Sequence, residues 1–255
     1  MLIKRSIILF IVIMLFPVFQ SQGAAPQTRT RFSPRAIARE PAVIKYGVDV
    51  SRWQEDIVWE DVAQSGIEFA MIRAGVGEFT DPQGEHHPIS EDSRFREYIE
   101  GAQSNGLEVG VYFYSYAQTI EQIREEAHFY VLLLSYFHIT YPVTLDMEES
   151  SDYYIDDPSE MAEAFLEIVE HEGYFPMLYS YKSWLEDNLS SEVRSKYTAW
   201  VAHIDVRATT YRGNYYMWQY SHTAKVSGIE GDVDLNIAYR DFAEYIKREK
   251  LNNLY

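Results

Sequence analysis

Apolar positions along this chain fall in short dense runs separated by longer stretches of mixed polarity. Residues 46–50, 69–74, 109–115, 141–147 and 177–180 are rich in Val, Ile, Leu, Met, Phe and Tyr, the pattern of strands buried on both faces. Helical patterning lies between them. The stretch 119–137 has an amphipathic period, and 158–172 opens with Asp157 before Pro158, a capping side chain followed by a residue suited to the first helical position. Strands alternating with helices predict a parallel sheet. Three further runs, 199–202, 216–220 and 233–237, have shorter connections with less helical character, so the last third departs from a regular β/α repeat. No repeat of solenoid length is present.

The first residues pattern differently. Lys4 and Arg5 precede an apolar run from Ile7 to Phe16, and small residues follow through Ala25, which predicts a signal peptide over 1–25 or, in the alternative, an N-terminal anchor. Residues 26–43 carry Arg29, Arg31, Arg35 and Arg39 among prolines and predict a basic, poorly ordered linker. The barrel domain is expected over 44–250, in a protein secreted or held in the cell envelope.

Composition narrows the chemistry. The 255 residues include 21 Tyr and 5 Trp, ample for one large core, and no Cys, which removes disulfides, thiolate metal sites and thiol nucleophiles. A formal charge of −17 argues against nucleic acid and anionic membrane surfaces as partners.

The most informative segment is residues 141–150, where an apolar run ends in Asp146, Met147 and Glu148. Side chains at i and i+2 share a face of a strand, so the two acids point into one space while Met147 faces the other side. At the carboxyl end of a barrel strand such a pair suits glycoside cleavage: one carboxyl donates a proton while an ionised one stabilises positive charge at the anomeric carbon. Taken alone, the spacing fits equally a solvated, helix-capping acid cluster, since Glu149, Asp152, Asp156 and Asp157 follow. Asp49 and Asp234 also stand at the ends of apolar runs, and would bring further acids to the same mouth.

The combination resembles the family 25 glycoside hydrolases, the Chalaropsis-type lysozymes, over residues 46–242. The resemblance rests on G-V-D-V-S-R-W-Q at 47–54, F-A-M-I-R-A-G-V-G at 69–77, G-V-Y-F-Y-S-Y-A at 110–117, L-D-M-E at 145–148, W-Q-Y-S at 218–221 and G-D-V-D-L-N at 231–236. It implies an α/β fold, an irregular TIM-like barrel of five β/α units followed by three strands with little helix. The implied activity is that of a muramidase, which hydrolyses the β-1,4 bond between N-acetylmuramic acid and N-acetylglucosamine; the implied partner is the glycan strand of peptidoglycan. No metal or organic cofactor is implied. On matching positions Glu148 is the general acid, Asp146 stabilises the transition state or orients the substrate acetamido group, and Asp49 and Asp234 support them. The i, i+2 spacing favours close carboxyls and hence retention, either by direct attack of Asp146 or by the substrate's own acetamido oxygen with Asp146 assisting.

Among aromatic residues near strand ends, Tyr112, Tyr114, Trp218 and Trp53 are expected to contact sugar, while Tyr116, Tyr179, Trp200 and Tyr220 fit core packing at least as well. Arg73 is expected at the substrate site, paired either with a site acid or with a structural one. The chain departs from the family pattern in an insertion, Thr80 to Pro88, and in Tyr98, where many relatives carry Asn. His86 and His87 in that insertion read as solvated rather than as metal ligands. The competing account is a glycan-binding barrel of the same fold without turnover. A monomer is expected.

Overall fold

The computed structural model describes residues 34–254. The expected signal peptide or anchor and the start of the expected linker lie outside the described residues. Eight strands form the barrel: β1 (Ala42–Val50), β2 (Phe69–Val76), β3 (Glu108–Tyr114), β4 (Val143–Asp146), β5 (Pro176–Tyr181), β6 (Thr198–Ala202), β7 (Tyr215–Ala224) and β8 (Val233–Arg240). Helices α1 (Trp59–Gln64), α2 (Phe95–Ser104), α3 (Ile120–Leu134) and α4 (Pro158–His171) follow the first four strands, and α5 (Lys182–Asn188) and α6 (Ser191–Lys196) follow β5. A last helix, α7 (Phe242–Arg248), follows β8.

Strands β1 to β7 pair in order and in parallel. β8 runs antiparallel to both β7 and β1 and closes the barrel. The reason is chain length: a parallel return needs a crossover of about a dozen residues or more, and only residues 225–232 separate β7 from β8. Among the described residues no helix lies between β6 and β7 or between β7 and β8, so five β/α units are followed by three strands, the expected α/β architecture.

Local signals act where the sequence placed them. Thr119 and Gln122 form a capping box at the start of α3. The Asp157 carboxylate accepts from the amides of Ser159 and Glu160 ahead of α4, with Pro158 in the first turn. The expected linker differs from residue 34 onward: Pro34–Arg39 form a 3-10 turn with Ile37 fully buried, and β1 begins at Ala42. Burying that one side chain contributes roughly 2 kcal/mol, and the Glu40 carboxylate just after the turn accepts two hydrogen bonds from the Arg248 guanidinium of α7.

Two apolar clusters divide the core. One joins the outward strand faces to the helices, including Phe113, Tyr130, Phe165 and Met147. The other gathers Phe69, Met71, Tyr141, Phe175, Met177 and Met217 with Phe242, Tyr245 and Ile246 of α7. Packing excludes water from the lower barrel and leaves polar groups at the opposite, carboxyl-terminal mouth.

Candidate active site

The mouth holds a cavity of about 780 Å³, a size suited to a small ligand. Asp49, Asp146, Glu148 and Asp234 all line it, with Trp53, Arg73, Tyr112 and Tyr114. Asp146 ends β4 and Glu148 follows it, while Met147 between them is fully buried in the helix-facing cluster. The strand pleat thus places both acids on one side, as their spacing predicts. Asp234 reaches the mouth differently. Because β8 is antiparallel, this acid stands near the amino end of its strand, not the carboxyl end expected, and pairs in register with Asp49 of β1.

Burial dominates the electrostatics. It pushes the Asp146 carboxyl well above the usual carboxylate range, and the facing Glu148 charge adds to the effect. Glu148 is raised too, chiefly by burial. The sequence expectation is one protonated carboxyl beside an ionised one. Here both rise, and the two carboxyls titrate together as a pair. The Asp146 Oδ1 atom is buried, and a hydrogen bond between the Asp146 and Glu148 side chains joins the two acids. Tyr181, pushed up to about 12 mainly by the Glu148 charge, stands at the same wall.

Asp49 and Asp234 form a second acid pair. Asp49 Oδ2 accepts from Asn236 Nδ2 at 2.7 Å and from Gln219 Nε2 at 2.9 Å; the same Gln219 nitrogen lies 3.3 Å from Asp234 Oδ2. Gln219 Oε1 accepts from the Tyr179 hydroxyl at 2.9 Å, and Asn236 Oδ1 from the Trp200 indole at 2.7 Å. Each amide is therefore fixed in orientation, and the barrel floor is wired as one network. Burial raises both Asp49 and Asp234, and Asp234's charge raises Asp49 further.

Arg73 pairs with a structural acid. Its Nε and Nη2 both lie 2.7 Å from Asp92 Oδ2, and Asp92 also accepts the amides of Arg52 at 3.2 Å and Arg94 at 3.0 Å. This pairing ties β2 to the turn that carries Trp53. That tryptophan is 70% exposed on the cavity rim, with the Arg52 guanidinium 4.8 Å from its ring centre. Tyr114 lines the wall, and its hydroxyl donates to Glu149 at 3.2 Å.

Trp218 does not reach the cavity. Its neighbours Met217 and Gln219 take the inward side of β7, so Trp218 turns the other way, and its indole donates to the His203 carbonyl at 2.9 Å. Tyr98 also lies away from the cavity: it is buried, its ring meets Trp59 edge-on, and its hydroxyl donates to the Glu55 carbonyl. The insertion folds as a hairpin, with Phe79–Thr80 paired to His86–His87. A column of rings, His87, Phe79, Tyr116 and Tyr114, runs from this hairpin to the cavity wall. Asp81, Glu85 and His87 approach one another there, but the Asp81 oxygens already meet the Gln83 and Glu85 amides and the His87 ring.

Sequence reasoning missed Gln219, Asn236, Tyr181, Lys182, His203 and His222. The first three could have been found, since Asn236 is two residues from Asp234, Tyr181 two from Tyr179 and Gln219 two from inward Met217. Of the other three, Lys182 opens α5, His203 follows β6 and His222 lies where β7 bulges, and none carries such a signal.

Residues 48–229 match the sequence model of the family described as Glycosyl hydrolases family 25. The autolytic lysozyme of Clostridium acetobutylicum is 27% identical over 191 residues, 74% of this chain and 54% of the relative, so the chain spans about half of that protein's length. Lysozyme M1 of Streptomyces globisporus is 26% identical over 239 residues, 85% of this chain and 73% of the relative. The crystal structure of the bacterial lysozyme from Streptomyces coelicolor superposes with a TM-score of 0.61 at 26% identity, covering 75% of this chain and 90% of that one.

Proposed function

The chain belongs to glycosyl hydrolases family 25, and on that premise we propose that it is a muramidase, cutting the β-1,4 bond between N-acetylmuramic acid and N-acetylglucosamine in peptidoglycan with retention. The observation that carries this reading is the Asp146 and Glu148 pair, two raised carboxyls on one wall of a sugar-sized cavity. Glu148, the less buried of the two, gives its proton to the leaving glycosidic oxygen as that bond breaks. The ionised Asp146 carboxylate, which lines the same cavity, receives the N–H of the substrate acetamido group. This aligns the acetamido oxygen to attack the anomeric carbon and supports the charge that develops. Water, deprotonated by Glu148, then opens the intermediate and restores the configuration.

Asp49 and Asp234, held by Gln219 and Asn236, keep the floor acidic beneath the developing cation. The substrate lies in the envelope, in keeping with the export signal expected over 1–25. The test is the clearing of a cell-wall suspension: wild-type protein lowers its turbidity, and Glu148→Gln protein is slower by about 100- to 10,000-fold. Equal clearing by both ends the proposal.

A further inference from the structure

The cavity wall is divided by charge. Asp49, Asp146, Glu148 and Asp234 come from β1, β4 and β8. The adjoining ends of β5, β6 and β7 instead contribute Lys182, His203 and His222. Arg73, the other basic side chain on the wall, is engaged by buried Asp92, and Lys182 pairs with the half-buried Glu186 of its own helix. In a chain of formal charge −17 the surrounding field disfavours anions, so three basic groups gathered on one arc of the mouth stand out against it.

His203 is held for use. Its carbonyl accepts the Trp218 indole N–H, and its Nδ1 lies 3.1 Å from Thr209 Oγ1 and 3.4 Å from the Thr210 amide nitrogen. A peptide N–H can only donate, so Nδ1 is the acceptor and the ring proton sits on Nε2, the donor that His203 brings to the cavity it lines. The loop that arranges this passes through Asp205 in the left-handed region, at φ 60°. His222 is exposed at the end of β7 and faces the Asp234 charge. Lys182 Nζ reaches Glu186 at 2.5 Å, which holds the amine at the rim.

We propose that this β5–β7 arc is a carboxylate-reading subsite, with His203 Nε2–H as its fixed donor and the His222 ring and the Lys182 amine as further N–H donors. The inference rests on the muramidase reading: in such a strand every second sugar carries a lactyl arm ending in a carboxyl group, free or extended by a peptide that itself bears carboxylates. The bound glycan therefore turns its lactyl arms toward β5–β7 and its cleavable bond toward Asp146 and Glu148. An acidic enzyme can then hold an acidic polymer in one direction only.

The experiment uses Glu148→Gln protein, which binds without rapid turnover, and three matched tetrasaccharides: chitotetraose, which has no carboxylate, a peptide-free murein strand and a peptide-bearing one. Calorimetry should show a carboxylate-bearing strand bound about tenfold more tightly than chitotetraose, the gain of one charge-assisted hydrogen bond. An advantage for the peptide-free strand identifies the lactyl carboxylate as ligand; an advantage for the peptide-bearing strand alone identifies the peptide. His203→Ala with His222→Ala should erase the advantage, and His222→Glu, at an exposed position that tolerates change, should reverse it. Equal affinity for all three strands, or an advantage that survives both changes, overturns the subsite while leaving the muramidase reading intact. Failure of every strand to bind, with no wall clearing by wild type, overturns the muramidase reading itself.

Discussion

Glu126 of α3 offers a quantitative test of how this barrel handles buried charge. Its side chain is almost fully enclosed; Oε2 accepts from the Ser115 hydroxyl at 2.5 Å and Oε1 from the Tyr116 amide at 3.2 Å. These bonds hold the turn after β3, the strand that carries Tyr112 and Tyr114. Burial outweighs them and pushes the carboxyl up from 4.5 to about 7. The folded chain therefore binds this proton more tightly than the unfolded chain does. Stability from this group is fully present below about pH 4.5 and is lost as pH rises through 7. At about 1.4 kcal/mol per pH unit the loss comes to about 3 kcal/mol. Glu126→Gln keeps the shape and cannot ionise. Urea unfolding of both proteins between about pH 4.5 and 8 should show the Gln variant gaining on wild type by about 3 kcal/mol across that range. The cavity carboxyls are also raised, but they are common to both proteins and cancel in the difference. A difference in stability that stays constant with pH would refute the reasoning.

Two further predictions follow from the cavity itself. Arg73→Met strands Asp92, whose side chain is 1% exposed, and should lower stability by about 3–5 kcal/mol. Adding Asp92→Asn should recover most of that loss in urea unfolding, and no recovery would mean that the stranded charge is not the cause. Because the proposed mechanism needs one of Asp146 and Glu148 protonated and the other ionised, and burial raises both, kcat/KM should be bell-shaped in pH, falling when both are protonated and again when neither is. Asp146→Asn should remove one limb, and a wild-type profile flat from about pH 4 to 8 would count against that mechanism.

Much of this molecule is legible in its sequence because the strand pleat is a local rule. The i, i+2 spacing of Asp146 and Glu148 puts both acids on the cavity side, and the buried run before them marks the strand. Reversal of β8 was not legible, since nothing in 231–236 states the direction in which its strand joins the sheet; the short connection 225–232 decides it. The same kind of pattern could have corrected Trp218, which sits between inward Met217 and Gln219, but its place beside a recognisable motif outweighed the alternation. Arg73 was readable as buried and paired, though its partner Asp92 lies beyond an insertion whose fold has no local signature. Basic residues of the β5–β7 arc were hidden for a different reason: they are scattered in sequence and meet only when the barrel closes.

The central claim concerns which bond is cut, and mass analysis of fragments released from defined peptidoglycan measures that directly. Digestion by wild-type protein, followed by borohydride reduction, should yield fragments ending in reduced N-acetylmuramic acid, with none from Glu148→Gln protein over the same period. Fragments ending in reduced N-acetylglucosamine, or bound strands left uncut by the wild type, would contradict it.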